Sequence, residues 1–384
     1  MRSGNYIQQP QGYRAFIPKS LPPDPPIKMD AELTKLLSDA DRALGRLDGI
    51  ATMLPDPDLF VAMYVRHEAV LSSQIEGTQS SLGDLLEFEV SDKLTRQPQD
   101  VQEVRNYVVA MNRGLERLRT LPLSIRLLKE IHGELLKGAR GNERLPGEIR
   151  DSQNWIGPAG AQLKDAEFVP PPPHEMNEAL KHFERFLHDR ESLPDLIHCG
   201  LCHAQFETIH PFLDGNGRVG RLLISLLLCE REILEKPLLY LSYYLKAHRA
   251  QYYDRLTAIR NDGDWEGWLK FFLQGVYEVS QAASEISREI LTLREQHRKA
   301  ITENVKSISN GLKLLDTLFR HPYISVRMVE SVLGCSYSTA NTTVNQLCKL
   351  KILSEATGKA RYRIFRYSPY IRLFDRQALR LPEE

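Results

Sequence analysis

Residues 210–221 read His210-Pro211-Phe212-Leu213-Asp214-Gly215-Asn216-Gly217-Arg218-Val219-Gly220-Arg221, and this stretch joins two apolar helical runs. Glycines at alternate positions, Gly215 and Gly217, permit φ > 0 and let the backbone approach a ligand closely. Successive N–H groups in such a loop form an anion-binding nest. A helix predicted over residues 219–232 points the positive end of its dipole into the same space. The stretch therefore predicts a polyphosphate site between two helices.

The side chains of this stretch suit phosphate chemistry. Arg218 and Arg221 are three residues apart, so they share a helix face and add two positive charges. Asp214 supplies a hard carboxylate oxygen, which suits Mg²⁺ carried in on the phosphates. His210 stands one turn before Asp214 and is the natural proton acceptor. The alternative interpretation is a glycine-rich turn between helices with a buried histidine.

These residues resemble the motif of the Fic family, H-x-F-x-[DE]-G-N-G-R-x-x-R, and every specified position is matched. The resemblance implies a mainly α fold, a Fic-type helical bundle with a small β-hairpin flap. It also implies transfer of AMP from ATP to a hydroxyl side chain of a target protein. The implied roles are His210 as the base, Asp214 as the Mg²⁺ ligand, Gly215, Asn216 and Gly217 on the α- and β-phosphates, Arg218 on the phosphate chain, and Arg221 on the γ-phosphate.

A second pattern lies N-terminal to the motif. A helix is predicted over about residues 59–77, where Gly77 is typical of the position just past a helix end. Glu76 stands at that end, where a negative charge is unfavourable and needs a cationic partner. The segment resembles the inhibitory motif of Fic proteins, [ST]-x-x-x-E-[GN], with Ser72 and Glu76 in the marked places. The resemblance implies that Glu76 pairs with Arg221 and blocks the γ-phosphate seat; a solvated helix-end carboxylate is the alternative.

Two further parts of the site are expected from the resemblance. A flap over about residues 150–170, with short strands at 154–157 and 166–169, would dock the target's backbone by strand addition. The alternative is a stabilising hairpin with Trp155 and Phe168 packed inward. The nucleotide base would lie near Tyr252, Tyr253 and Asn261, because adenine needs a flat wall and a few polar contacts; core tyrosines are the alternative.

One helix before the motif carries a possible metal pattern. It contains His198, Cys199, Cys202 and His203. A single Cys-x-x-Cys without a second pair is a weak zinc signal, and an apolar helix accommodates cysteine as a small hydrophobe. We therefore expect these residues to be structural.

The chain of 384 residues is long enough for two or three domains. We expect a Pro-rich arm and first helix over residues 1–55, the arm being extended and unpacked over 1–30, then the Fic domain over 56–300. Residues 301–384 show the order helix, helix-turn-helix, strand pair, which resembles a winged helix. Its third helix, 338–350, could contact DNA bases, and Lys359, Arg361 and Arg363 could meet phosphates. A protein-interaction or dimer module is the alternative.

Charge and composition indicate which partners and which cellular compartment to expect. Residues 298–384 hold 15 Lys and Arg against 7 Asp and Glu, a net +8, so the tail favours a polyanion. No apolar run approaches the ~20 residues that span a membrane, and the N-terminus lacks a signal-peptide pattern. Five cysteines fit reduced thiols. A cytoplasmic protein without a membrane partner is expected.

The sequence thus predicts a protein adenylyltransferase that uses ATP and Mg²⁺, acts on Ser, Thr or Tyr hydroxyls with release of pyrophosphate, and is inhibited by Glu76. Self-modification and a homodimer stay open. One alternative is removal of AMP, or another phosphate-linked transfer, by the same residues. The other is a DNA-binding regulator whose Fic core senses nucleotide.

Overall fold

The computed structural model describes residues 1–52, 57–90, 99–158, 160, 162–358 and 362–378. Within these ranges the chain is mainly α-helical with two small antiparallel sheets, which confirms the predicted fold class. None of the described helices is long and apolar enough to cross a lipid bilayer. The first eleven helices are α1 (Ala31–Thr52), α2 (Pro57–Ile75), α3 (Leu82–Val90), α4 (Gln99–Leu118), α5 (Ile125–Leu136), α6 (Pro173–Leu187), α7 (Asp195–Ile209), α8 (Asn216–Glu230), α9 (Ser242–Ala247), α10 (Arg249–Asp262) and α11 (Trp265–Asn304).

The N-terminus forms a hairpin of β1 (Gly4–Gln8) and β2 (Arg14–Pro18). The expectation of an unpacked arm is therefore wrong for this segment. Phe16 is fully buried, and its N–H donates to the carbonyl oxygen of Val169 at 2.9 Å. Gly12, at φ 92°, lies in the turn that lets the chain reverse.

The centre of the bundle is the pair α7 and α8. Almost every residue of both helices is buried, as expected of helices with neighbours on all sides. Helices α4 and α5 pack against α8, while α6 and α11 pack against α7. Gly200 permits the close approach of α11, since a Cβ there would lie 3.0 Å from Leu269 and from Phe272. Trp268 of α11 donates from Nε1 to the carbonyl oxygen of Gly200 at 2.9 Å.

The C-terminal module follows α11, which is unbroken to Asn304, so the boundary predicted at residue 300 falls inside its last turn. The module's elements are α12 (Ile308–Arg320), β3 (Tyr323–Ser325), α13 (Val326–Leu333), α14 (Tyr337–Lys349), β4 (Ser354–Glu355), β5 (Ile364–Arg366) and α15 (Ser368–Ala378). Its sheet has the antiparallel order β3-β5-β4. Phe374 of α15 packs on Tyr64 of α2 with ring centroids 5.4 Å apart, so the module touches the helix that leads to Glu76. Lys359 and Arg361 of the predicted wing lie outside the described residues.

Candidate active site

His210 caps α7 in the left-handed conformation, with φ 50° and ψ 62°, which non-glycine residues adopt rarely. Its Nδ1–H donates to the carbonyl oxygen of Glu207 at 3.3 Å. Because a carbonyl oxygen can only accept, this contact assigns the ring proton to Nδ1 and leaves Nε2 with a free lone pair. Burial, and secondarily the charge of Arg150, lowers the pKa of His210 to about 4. The imidazole is therefore neutral at pH 7 and able to accept a proton.

The chain between His210 and α8 is held by long polar side chains. Asn216 accepts from the N–H of Phe212 at 2.9 Å and donates from Nδ2 to its carbonyl oxygen at 2.7 Å. Arg150 donates from Nε to the carbonyl oxygen of His210 at 2.9 Å. The side chain of Asn216 is thus bound to the loop itself. What Asn216 presents is its main-chain N–H, one of the unsatisfied donors in the first turn of α8.

Asp214 is held from behind by His132 of α5. The His132 Nε2–H donates to the carbonyl oxygen of Asp214 at 3.0 Å, and the N–H of Gly147 donates to His132 Nδ1 at 2.8 Å. The imidazole stacks on Phe212 with centroids 3.9 Å apart. Burial lowers the pKa of His132 to about 4, so the ring stays neutral. No pattern in α5 distinguished this residue, and the sequence did not predict it.

The carboxylate of Asp214 is 41% exposed, with Oδ1 3.6 Å from Nη2 of Arg218. Its Oδ2 lies where a Cβ on Gly141 would approach to 2.6 Å, so the neighbouring loop needs glycine there. Mg²⁺ commonly binds one or two carboxylates together with substrate phosphates and water, and this single accessible carboxylate fits that need. Among the described residues no cluster of three or more His, Cys, Asp or Glu could hold a metal ion. A Mg²⁺ at Asp214 would thus take its other ligands from the nucleotide and water.

Arg221 is buried, and both its Nε and its Nη2 donate to the segment that ends α2. Its Nε donates to Ser72 Oγ at 2.8 Å, and its Nη2 donates to the Ser72 carbonyl oxygen at 3.1 Å and to Glu76 Oε1 at 2.5 Å. Burial favours a raised pKa for Glu76, but the adjacent Arg221 outweighs it and holds the pKa below its ordinary value. Glu76 is therefore ionised in this pair.

The backbone conformation predicted for Gly217, φ > 0, is wrong. Gly217 lies in the first turn of α8, which begins three residues earlier than predicted, and only Gly215 of the two glycines has φ > 0. A Cβ on Gly217 would collide with Oε1 of Glu76 and lie 3.0 Å from Nη1 of Arg221. The missing side chain makes room for the carboxylate of Glu76 on the face of α8.

Arg218 is positioned by Glu103 of α4, which the sequence did not predict. Glu103 is 1% exposed and accepts from Arg218 Nη1 at 3.4 Å and from Arg140 Nε at 2.9 Å. The hydroxyl of Thr78 donates to the same carboxylate at 3.3 Å. Glu103 therefore joins Arg218 of the motif to the chain just beyond Glu76.

The residues expected at the nucleotide base are divided. Tyr252 is buried, and its hydroxyl lies 2.9 Å from His203 Nε2, as in the core-tyrosine alternative. Tyr253 is 39% exposed beneath the guanidinium of Arg249, 5.3 Å from the ring centroid. Asn261 accepts at Oδ1 from the hydroxyl of Tyr6, 3.2 Å away in the N-terminal hairpin. Of the two tyrosines, only Tyr253 is thus exposed, and Arg249 lies over one face of its ring.

The predicted flap reduces to one antiparallel bridge, Ile156 to Phe168, so the two predicted strands are wrong beyond that pair. Phe168 is buried while Trp155 is 40% exposed, which excludes the inward packing of both rings. The guanidinium of Arg260 lies 4.0 Å above Phe168 and covers the bridge from the α10 side. Residues 159 and 161 of the flap lie outside the described ranges.

Residues 34–116 match the Fic/DOC family N-terminal domain, and residues 122–228 match the Fic/DOC family domain. A probable protein adenylyltransferase of Aquifex aeolicus is 26% identical over 207 residues, which are 53% of this chain and 58% of the relative. Protein adenylyltransferase Fic of Aedes aegypti is 29% identical over 182 residues, 45% of this chain and 32% of the relative. The chain thus spans only part of the length of both relatives. A crystal structure of a Fic family protein from Desulfovibrio desulfuricans has the same fold, with a TM-score of 0.57 and 20% identity, and the match covers 89% of this chain and 97% of the other.

Proposed function

The chain belongs to the Fic/DOC family through its two matched domains, and we propose that it is a protein adenylyltransferase that moves AMP from ATP to a hydroxyl of a target protein. The observation that carries the proposal is the neutral His210, which has a free Nε2 and is separated from the N-terminus of α8 by one short loop. That helix end has unsatisfied N–H groups and the guanidinium groups of Arg218 and Arg221 on its first two turns.

The chemical step follows from this arrangement. His210 Nε2 takes the proton of a target Ser, Thr or Tyr hydroxyl, and the oxygen bonds to the α-phosphorus as the bond to the β-phosphate oxygen breaks. AMP is left on the protein, and pyrophosphate departs. The N–H groups of the first turn of α8 and the side chain of Arg218 stabilise the charge on the phosphates. Mg²⁺, held by Asp214, would neutralise charge on the departing pyrophosphate.

Glu76 is proposed to keep this reaction slow. Its carboxylate occupies Nη2 of Arg221 and the space above Gly217, where the γ-phosphate of ATP would bind. A γ-phosphate must displace it, at a cost of about 1–3 kcal/mol for a shielded charged hydrogen bond.

The experiment uses ATP labelled at the α- or the γ-phosphate with the purified chain and, separately, with cell lysate. Label from the α-phosphate should become covalently attached to protein, and label from the γ-phosphate should not. Attachment of γ-label would indicate phosphorylation instead. Loss of a pre-attached α-label with no new attachment would indicate AMP removal as the main activity.

A second candidate function, DNA binding, is favoured by the C-terminal module, which we propose to be a winged helix. Exposed polar residues cover one face of α14, among them Thr339, Thr342 and Asn345. Arg363, the residue before β5, donates to Asn341 Oδ1 at 3.0 Å, so the strand pair lies beside that face. Polar side chains on such a helix can contact base edges in the major groove.

A gel shift on duplex DNA tests this function. Binding should weaken as salt rises, and Thr342→Glu should weaken it at least tenfold because it sets a negative charge against the phosphates. Thr292→Glu, on the exposed face of α11, is the matched control and should bind as the wild type does. An absence of any shift at low salt would support the protein-interaction alternative.

A further inference from the structure

Glu207 is a carboxylate of the site that the proposed reaction does not use. It lies in the last turn of α7, three residues before His210, and is 7% exposed. Its Oε1 is buried without a hydrogen-bond partner, and among the described residues its carboxylate forms no ion pair. Leaving a buried acceptor unpaired costs about 1–3 kcal/mol, and more for a charged group. A donor for this carboxylate is therefore expected from a ligand or from its own proton.

The carboxylates of Glu207 and Glu76 both lie against the same face of α8. A Cβ on Gly220 would collide with Oε1 of Glu207, just as one on Gly217 would collide with Oε1 of Glu76. Two glycines three residues apart on α8 are thus each covered by a carboxylate, and Arg221 is adjacent to both. Gly220 occupies a position that the family motif leaves unspecified.

The charges around Glu207 come from four parts of the fold. Arg221 lies on α8, Glu76 follows α2, Arg260, Tyr252 and Tyr253 lie on α10, and His210 follows on its own helix. Burial raises the pKa of Glu207 to about 7; Arg221 opposes the rise, and the negative charge of Glu76 adds to it. Near neutral pH the carboxyl is therefore divided between its protonated and ionised forms.

We propose that Glu207 is a second carboxyl group at the γ-phosphate seat and that it links ATP binding to a proton. When protonated it donates a hydrogen bond to the γ-phosphate, and when ionised it repels the same group. The inference rests on the proposed function, because it requires ATP to place its γ-phosphate at Arg221.

The sign of the effect follows from linkage. An anionic γ-phosphate raises the pKa of Glu207 further, so ATP binding takes up a proton. The affinity for ATP then falls as the pH rises above about 7, at most about tenfold per pH unit. ADP lacks the γ-phosphate and should show little of this dependence.

The test measures binding of α,β-methylene-ATP and α,β-methylene-ADP between pH 6 and 8.5 by calorimetry. The wild type should lose affinity for the triphosphate by about tenfold between pH 7.5 and 8.5, with little change for the diphosphate. Glu207→Gln, close to the protonated carboxyl in shape, should bind the triphosphate at pH 8.5 as tightly as the wild type does at pH 6.5. Comparing the two proteins cancels the titration of the nucleotide itself. Glu116→Gln, on the surface of α4, is the control and should keep the wild-type slope.

A second measurement does not depend on the variant's folding. At pH 8, where the nucleotide is already deprotonated, calorimetry in two buffers of different ionisation enthalpy should show uptake of nearly one proton with the triphosphate and almost none with the diphosphate. Equal slopes in wild type and Glu207→Gln, or no proton uptake, would overturn the role of Glu207. Failure of the wild type to bind either analogue at any pH would instead contradict the proposed function.

Discussion

The two ends of the stretch 210–221 are built in different ways. From His210 to Asp214 the backbone is fixed by the side chain of Asn216, within the stretch, and by those of Arg150 and His132. All three bind main-chain atoms, which a ligand does not replace. At Arg221 the guanidinium is held by Ser72 and Glu76, from a segment about 150 residues earlier, and in the proposed mechanism the γ-phosphate displaces Glu76.

This difference separates the part of the stretch proposed to carry out the transfer from the part proposed to control ATP binding. If His210 is the base as proposed, its end of the stretch is already fixed without nucleotide, so changes there should only lower the rate. If the γ-phosphate binds at Arg221 as proposed, Glu76 already occupies that end, so changes there can raise the rate. The predictions below test this division.

The largest effect is expected at the fixed end. His210→Asn removes the base but keeps a residue that tolerates the left-handed conformation, so the fold should persist. AMP transfer should fall by roughly 10²–10⁴-fold, while binding of α,β-methylene-ATP stays within about twofold. Self-labelling rates and calorimetry measure the two quantities. His188→Ala, at the exposed end of α6, should leave both unchanged. Transfer at the wild-type rate in His210→Asn would remove His210 from the mechanism.

An increase in the transfer rate is expected when Arg221 is freed from Glu76. Glu76→Gly frees Arg221 for the γ-phosphate and should raise self-labelling about tenfold to a hundredfold. The exposed Glu235→Gly, in the loop after α8, is the control for loss of a charge. Adding His210→Asn to Glu76→Gly should abolish the gain. An unchanged rate in a folded Glu76→Gly protein would show that Glu76 is an ordinary helix-end carboxylate.

A smaller effect is expected where the two ends meet. Glu103→Gln weakens the hold on Arg218 and on Thr78, and should raise the KM for ATP roughly threefold to tenfold, with a lesser change in kcat. Glu116→Gln on the same helix, whose partner Arg113 is exposed, should change neither constant. A fall in kcat at constant KM would contradict a positioning role for Glu103 at the phosphates.

The smallest effect concerns pH. Since the pKa of His210 is about 4, the base is unprotonated above pH 6 and is lost only as the pH falls through 4. At saturating ATP, kcat should therefore vary by less than about twofold between pH 6 and 8 from this group. A steep loss of kcat below pH 7 would place the pKa of the base near its ordinary value.

The motif could be predicted because its chemistry is local. His210, Asp214 and the two arginines stand at fixed spacings in one short stretch, and Glu76 follows a recognisable helix end. The residues that hold them, Arg150, His132 and Glu103, lie far away in sequence and repeat no pattern. Their roles depend on tertiary packing, which spacing does not encode.

The same limit explains the errors in the fold. Helices with a clear period were predicted well: α2 and α14 begin and end within two residues of the predicted bounds 59–77 and 338–350. Helix α3 has only nine residues, too few for a clear period, and was not predicted. The N-terminal hairpin was overlooked because nearby prolines indicated an extended arm. The early start of α8 was overlooked because Gly217 favours a loop in isolation.

The residues packed against α7 imply that the two matched family domains are smaller than the unit that encloses the site. The matched domains end at residue 228, yet Trp268 closes α7 at Gly200 and Tyr252 closes it at His203. At the other margin, Phe16 lies against Phe168, before the first matched residue. Grafting residues 34–228 alone into another protein would transfer the motif without the residues that pack around it. A graft that preserves the packing around the motif must extend from β1 to the end of α11.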